Sequence, residues 1–492
     1  MLNTLATARR GLSDDTLFRQ ECYIGGQWVG STCAEATPIY NPHDSSLLGR
    51  VPNLGATEAR AAIAAANAAL PAWSAWSGKE RGDILARWAD LCLEHQLDLA
   101  RIMTLEQGKP LAEARGEVLY GTSFIHWFAG EARRIYGDTI PANTRMRRIV
   151  TLKQPVGVVA AITPWNFPNA MITRKAAAAL AAGCTIVIKP APETPFSALA
   201  LAELARRAGI PEGVLNIITG DAIAIGGELT SNPIVRKLSF TGSTEVGRIL
   251  LRQCADTIKK VSLELGGNAP FVIFADADIE KAVEGVMASK FRNAGQTCVC
   301  ANRIFIEDTI YDLFRQKLHV AVQNLTVGNG LEAGVTIGPL INKEAIDKVV
   351  AHIDDAIERG ATVDIGGSVH ALGGLYFQPT ILKDVAVGSM LMKEETFGPV
   401  APLIRFTSEE EVVAMCNDTE YGLAAYFYTR DIGRIWRVAE ALEYGMVGIN
   451  EGMISTEVAP FGGVKQSGLG REGSKYGIDE YLEVKYLCFD IS

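Results

Sequence analysis

The densest chemistry in this 492-residue chain lies in Phe291-Arg292-Asn293-Ala294-Gly295-Gln296-Thr297-Cys298-Val299-Cys300. A lone cysteine is usually an inert, buried small hydrophobe. Here two thiols sit two residues apart beyond a Gly-Gln-Thr loop, a place where a thiol is exposed and activated. Upstream, Glu264 stands between Leu263 and Leu265, ahead of Gly266-Gly267. A carboxylate between leucines suits a buried base of raised pKa; the plainer reading is a capping glutamate. The third signal is Thr241-Gly242-Ser243-Thr244-Glu245-Val246-Gly247, which follows a strand-like run and opens a helix. Orphan N–H groups and the helix dipole there favour a pyrophosphate. The run is not G-x-G-x-x-G, and a glycine after a strand is more often an ordinary turn.

These residues need a scaffold of strands and helices, and the sequence supplies one. Residues 56–70 read as an Ala-rich helix stopped at Pro71, and apolar residues recur at helical spacing from Lys79 to Gln107. From Val156 the run VGVVAAI is continuously apolar and β-branched, as for a strand covered on both faces. TPWNFP, an Ala-rich helix ending at Gly183 and the strand TIVIKP (185–190) complete a βαβ unit. A helix closed by Gly209, then VLNIIT and KLSFTGS, make four strands alternating with helices, the pattern of a doubly wound α/β fold. A second α/β segment begins after Gly267, with APFVIFA as a strand and DIEKAVEGVMASKFRNA as a helix. Residues 144–153 and 481–488 suit half-solvated strands outside both units, which invite pairing with another subunit.

Composition excludes several classes. The net charge of −9 and the lack of clustered Lys and Arg argue against a nucleic-acid partner. No stretch approaches the ~18 uninterrupted apolar residues of a membrane span. Nine cysteines without C-x-x-C spacing and six scattered histidines predict reduced thiols, no metal site and a cytoplasmic location. Arg9 and Arg10, with no acid before Asp14, faintly suit an organelle leader; the plainer reading is a frayed tail.

The order TPWNFP, Gly-Ser-Thr-Glu-Val-Gly, LELGG, GQTC, EETFGP (394–399) and PFGGVKQSGLGRE (460–472) resembles the aldehyde dehydrogenase superfamily from about residue 20 to the end. FRNAGQTCVC, GINEGMIS and SKYGIDEYLEVKY are most similar to its succinate-semialdehyde dehydrogenases. The resemblance implies an α/β fold with a Rossmann-type cofactor domain (residues 1–134 and 156–264), an α/β catalytic domain (265–466) and a small β oligomerisation element (135–155 and 467–492). It assigns Cys298 as nucleophile, Asn166 as oxyanion donor and Glu264 as the base for thioester hydrolysis. Trp165, Lys189, Gly242, Ser243 and Glu395 match cofactor contacts, and Lys175 and Glu472 match a proton relay. Without the motif order, a surface lysine, a solvated acidic pair and a core tryptophan would be the plainer readings of Lys189, Glu395 and Trp165.

The expected cofactor is NADP, with NAD the alternative. Members that prefer NAD commonly carry Glu three residues after the lysine, where this chain has Pro192, but Glu193 follows and a displaced carboxylate there would still enforce NAD. Arg174, Arg292 and Ser455 match the carboxylate contacts of succinate-semialdehyde dehydrogenases; taken singly, each arginine would read as a surface ion pair. Two guanidiniums on a short tunnel suit the far carboxylate of an ω-oxo acid. The expected substrate is succinate semialdehyde, and glutarate semialdehyde or another carboxyl-bearing aldehyde is the alternative. The expected assembly is a homo-oligomer, a dimer or tetramer. Two extended residues span at most about 7 Å, near the upper Cα–Cα limit of a disulfide, about 6.8 Å. A modest bend would therefore join Cys298 and Cys300, and some relatives carry such a redox switch; Cys300 as core filler is the alternative. A non-catalytic oligomer would lack Cys298 or Glu264, and a papain-type hydrolase would show a histidine signature that is missing.

Overall fold

Val158–Ile162 and Thr185–Lys189, the unbroken apolar runs, lie side by side in parallel and are almost wholly buried. The computed structural model describes residues 11–30 and 36–492, so Arg9 and Arg10 of the leader reading lie outside the described residues. The two strands sit at the centre of an eight-stranded sheet with five parallel strands in its middle, ordered Lys260–Glu264, Val235–Thr241, Val158–Ile162, Thr185–Lys189, Leu215–Ile217. Counted along the chain, that order is 5-4-1-2-3. It reverses between Val158–Ile162 and Val235–Thr241, the switch point where open α/β sheets leave a crevice beyond the carboxyl ends of their strands. A second sheet has seven strands, all parallel except Thr362–Ile365, with Ala301–Glu307 and Ala269–Ile273 near its middle. The α/β architecture with a Rossmann-type sheet and a second α/β unit is therefore present.

The helices follow the caps. We label them α1 (Ala56–Ala75), α2 (Gly78–Glu94), α3 (Gln96–Gln107), α4 (Leu111–Glu131), α5 (Ala170–Ala182), α6 (Pro195–Ala208), α7 (Ala222–Ser231), α8 (Thr244–Ala255) and α9 (Ile279–Val286). Gly183 and Gly209 close α5 and α6 in the left-handed conformation, φ 92° and 91°, where a side chain would be strained.

Three local expectations need correcting. α1 does not stop at Pro71 but runs to Ala75, because Trp73 is buried and packs on Trp76 with ring centroids 5.0 Å apart. Core burial there outweighs the hydrogen bond that proline removes. The helical stretch from Lys79 to Gln107 is two helices broken at His95, where buried Asp98 accepts from the N–H groups of Ser13 and Asp14 at 2.8 and 3.0 Å. The helix through FRNA ends at Val286. A π turn follows over Met287–Phe291, then a tight turn over Arg292–Gly295, with Asn293 and Ala294 at φ 52° and 54°.

The two half-solvated segments, Arg147–Pro155 and Leu482–Asp490, pair with each other antiparallel in a three-stranded sheet with Thr139–Ile140. No helix among the described residues is long and apolar enough to cross a membrane, and they contain no cluster of His, Cys, Asp and Glu able to hold a metal ion.

Candidate active site

The crevice at the switch point is a cleft of about 520 Å³. Trp165 and Asn166 enter it on the loop after Val158–Ile162, and Gly242 and Ser243 on the loop after Val235–Thr241. Glu264, Cys298 and Glu395 line the same space. Glu264 is the last residue of its strand, held in register against Gly468 of an antiparallel neighbour. Seven of the predicted site residues thus meet in one cavity.

Cys298 is half-buried, and the next cysteine is not beside it in the cleft. The backbone does bend, since the Cys300 N–H donates to Thr297 O at 3.0 Å. The Cys300 thiol is buried against Lys290, whose Nζ lies 3.2 Å from its sulfur. Burial pushes the Cys298 thiol up to about 12; Glu395 and Glu264 add to the rise and Arg174 and Arg292 oppose it. A thiol this weakly acidic needs a base to become a nucleophile. Glu264 fits the role: its Oε2 is buried without a partner, and burial first, then Glu472, raise its pKa well above the usual carboxylate range.

Asn166 donates from Nδ2 to Gln296 O at 3.1 Å in the Cys298 loop. That bond fixes the carboxamide plane and leaves its second N–H unspent, as an oxyanion donor requires. Lys175 and Arg174 both pair with Glu472, and all three are buried. Against the cost of burial, the two cations hold Glu472 below the ordinary carboxylate range.

The cleft suits a dinucleotide. The N-terminus of α8 opens into it at Ser243, and a Cβ on Gly242 would collide with the Phe240 ring. A Cβ on Gly266 would sit 2.9 Å from the Glu395 carboxylate. Lys189 ends the strand next to Val158–Ile162 and has no carboxylate at ion-pair distance among the described residues. Pro192 is exposed, and Glu193 faces a separate recess with Tyr40, Glu106 and Ile341. Lys348 also lines the main cleft, a residue the sequence motifs did not single out.

The predicted carboxylate contacts are divided. Arg292 and Ser455 line one narrow recess next to the nucleophile loop. Arg174 does not line it; its guanidinium lies over the rings of Phe461 and Phe124, centroids 4.1 and 5.5 Å away. Arg292 has no carboxylate at ion-pair distance among the described residues and lies over Phe167 at 5.1 Å. Between them stands Tyr120, whose raised phenol pKa is set by burial and opposed by Arg174, Arg292 and Ser455. Arg174 Nη2 and Arg292 Nε are buried without a hydrogen-bond partner, whereas the Tyr120 hydroxyl has Ser455 beside it. Tyr120 escaped the sequence reading because it belongs to no motif. Its spacing from Glu113 and Glu117 on α4, three polar residues on one helix face, was the available signal.

A family model described as "Aldehyde dehydrogenase family" matches residues 28–487. The chain is 65% identical over 480 residues to a succinate-semialdehyde dehydrogenase [NADP(+)] of Escherichia coli, covering 98% of this chain and 100% of the relative. It is 63% identical to a glutarate-semialdehyde dehydrogenase of Pseudomonas aeruginosa, covering 97% and 99%. A crystal structure titled as an E. coli NADP dependent enzyme superposes with a TM-score of 0.97 at 64% identity, covering 97% of this chain and 100% of that one.

Proposed function

The chain belongs to the aldehyde dehydrogenase family, and from that footing we propose that it oxidises succinate semialdehyde to succinate with NADP. The observation that carries the substrate is the pair of buried, unpartnered guanidinium donors, Arg174 Nη2 and Arg292 Nε, whose fields meet at Tyr120. Buried donors without partners are costly, and a carboxylate at the far end of a short aldehyde satisfies them. A neutral aldehyde leaves them empty.

The chemistry follows from the lining of the cleft. Glu264 takes the proton of Cys298, and the thiolate sulfur bonds to the aldehyde carbon. The carbonyl electrons move onto oxygen, where the free N–H of Asn166 and the Cys298 amide hold the charge. A nicotinamide cofactor, when bound, supplies the two-electron acceptor that turns the thiohemiacetal into a thioester. Glu264 passes the Cys298 proton on toward solvent by way of Lys175 and Glu472, ion-paired beside it, and is a base again before hydrolysis. It then takes a proton from water as the water attacks the thioester, the C–S bond breaks, and Glu264 returns that proton to the sulfur. Lys189, whose charge Glu193 partly offsets, would meet the 2′-phosphate of NADP, since Pro192 puts no carboxylate at its own position. Trp165, packed edge-on against Phe397 at 5.5 Å, walls the channel, and Glu395 holds the nicotinamide ribose.

A homo-oligomer, dimer or tetramer, completes this reading. The sheet of Arg147–Pro155 and Leu482–Asp490 leaves Val484 66% and Tyr486 60% exposed, large apolar groups suited to a second copy of the chain. Cys92, Cys184, Cys254, Cys298, Cys300, Cys416 and Cys488 are free thiols, which suits the cytoplasm. Cys300, buried beside Lys290 and two residues from the nucleophile, is a redox partner for Cys298 if that loop opens.

Glutarate semialdehyde is the second reading, favoured by the 63% identical relative. One methylene separates the two by only about 1–3 kcal/mol. The test is kcat/KM by absorbance at 340 nm for succinate semialdehyde, glutarate semialdehyde and butanal, each with NADP and with NAD. The expected order places an ω-oxo acid about 100-fold above butanal and NADP above NAD. Equal values for succinate semialdehyde and butanal overturn the carboxylate reading.

A further inference from the structure

Two buried charges and one half-buried charge outside the cleft have no part in the steps above. Lys109 and Glu117 are 2% and 3% exposed and form an ion pair. Glu113 lies one turn before Glu117 on α4. Lys109 Nζ donates to the main-chain carbonyl of Asn166 at 2.7 Å and lies over the Phe167 ring at 4.0 Å. Glu117 Oε1 accepts from the N–H groups of Asn169 and Ala170 at 2.9 and 3.2 Å. Those N–H groups begin α5, whose own N-cap residue makes no side-chain bond, so Glu117 caps it from a neighbouring helix. Glu113 Oε2 accepts from the Asn293 N–H at 2.8 Å, at the first of the two left-handed residues before Cys298. Asn293 Nδ2 returns to the Asn166 carbonyl at 3.0 Å.

The loop bearing the carboxamide and the loop bearing the thiol are therefore tied to each other and to one face of α4. Each carries one of the two donors that must converge on a single oxygen. A buried ion pair is a poor source of stability compared with apolar residues of the same volume, but its directed bonds fix a backbone carbonyl in place. We propose that Lys109 and Glu117, with Glu113 on the thiol side, are positioning residues that aim the free N–H of Asn166 at the developing oxyanion. This rests on the reading of Asn166 as an oxyanion donor.

The test uses the full-length enzyme in four forms: wild type, Lys109→Met, Asn166→Ala and the double variant. Lys109→Met is expected to lower kcat about 10-fold or more while KM for succinate semialdehyde stays within about two-fold. Alkylation of Cys298 by iodoacetamide, which forms no oxyanion, should also stay within about two-fold. In the Asn166→Ala background, Lys109→Met should cost almost nothing, because the group it positions is gone. Lys109→Arg, which keeps a cation able to reach the carbonyl, should recover part of the loss. The same fold loss in both backgrounds overturns the inference, and so does alkylation slowed in parallel with kcat. If Lys109→Met does not fold, Glu117→Gln, which keeps the side-chain shape, is read in the same way. Asn166→Ala crippled with Lys109→Met silent overturns this inference alone. Full activity in Asn166→Ala overturns the oxyanion reading as well.

Discussion

At the cofactor-facing end of the cleft, the reactive groups hang from strand ends and are fixed by main-chain bonds: Asn166 by Gln296 O, Glu395 by the Gly267 N–H at 3.3 Å, Glu264 by its register against Gly468. At the enclosed end, the guanidiniums of Arg174 and Arg292 are held over aromatic rings, and Arg174 Nη2 and Arg292 Nε have no partner. Polar atoms stand unspent at both ends, but those of the first, Asn166 Oδ1 and Glu264 Oε2, are acceptors, and those of the second are cationic donors. Within the second end the two arginines also differ. Arg174 carries a built-in counter-ion, Glu472, whereas Arg292 has none within ion-pair distance among the described residues. On the proposed reading, an incoming carboxylate meets Arg292 first, while Arg174 is already engaged by the buried ion-pair network.

The contrast is broken most severely at its reactive end. Cys298→Ala is expected to lower kcat on the order of 10⁴-fold or more, read by absorbance at 340 nm, for charged and neutral aldehydes alike. A residual activity near wild type would remove the thiol from the mechanism. At the enclosed end, Arg292→Met should lower kcat/KM for succinate semialdehyde about 10²-fold, in line with the loss of a charge-assisted bond. Butanal should change by less than about three-fold, and equal losses on both substrates would erase the distinction between the ends.

Much of the framework was legible before any coordinates because its signals are local. VGVVAAI and the Ile-Val-Ile of TIVIKP are unbroken apolar runs, which suit strands covered on both faces. Gly183 and Gly209 stop their helices through their own backbone freedom. The misreadings all arose where distant residues overrule local preference. Trp73 in the core carries α1 past Pro71, Asp98 bound to the Ser13 and Asp14 amides breaks the helical stretch at His95, and Asn293 bound to Asn166 and Glu113 holds the turn that ends the FRNA helix. In the site, the motif residues Cys298, Asn166, Glu264 and Glu395 converge on one cleft. The shared helix face of Glu113, Glu117 and Tyr120 could be read from their spacing, but what that face and Lys109 pack against could not.

The smallest expected effect tests the acidic groups of the cofactor-facing end. Burial raises the Glu395 carboxyl to about 7, against the opposing Gly267 bond and the fields of Lys348 and Lys290. Between pH 4.5 and 7 the folded protein keeps a proton there that the unfolded chain gives up, so stability falls as pH rises through that window. In cofactor-free protein, Glu395→Gln should therefore lose about 2–3 °C less in Tm between pH 5 and pH 8 than wild type does. Identical slopes in the two proteins would show that Glu395 is solvated and ionised at rest.

The π turn over Met287–Phe291 carries one further consequence. It takes one more residue to close its turn than an α-helix does, so the flanking segments keep their bearing although the chain between them is one residue longer. A one-residue change inside an ordinary α-helix would instead rotate everything after it by about 100°. Deleting one residue from Met287–Phe291 should therefore be absorbed as a plain α turn, whereas a deletion within α9 would turn the segment that leads to Cys298.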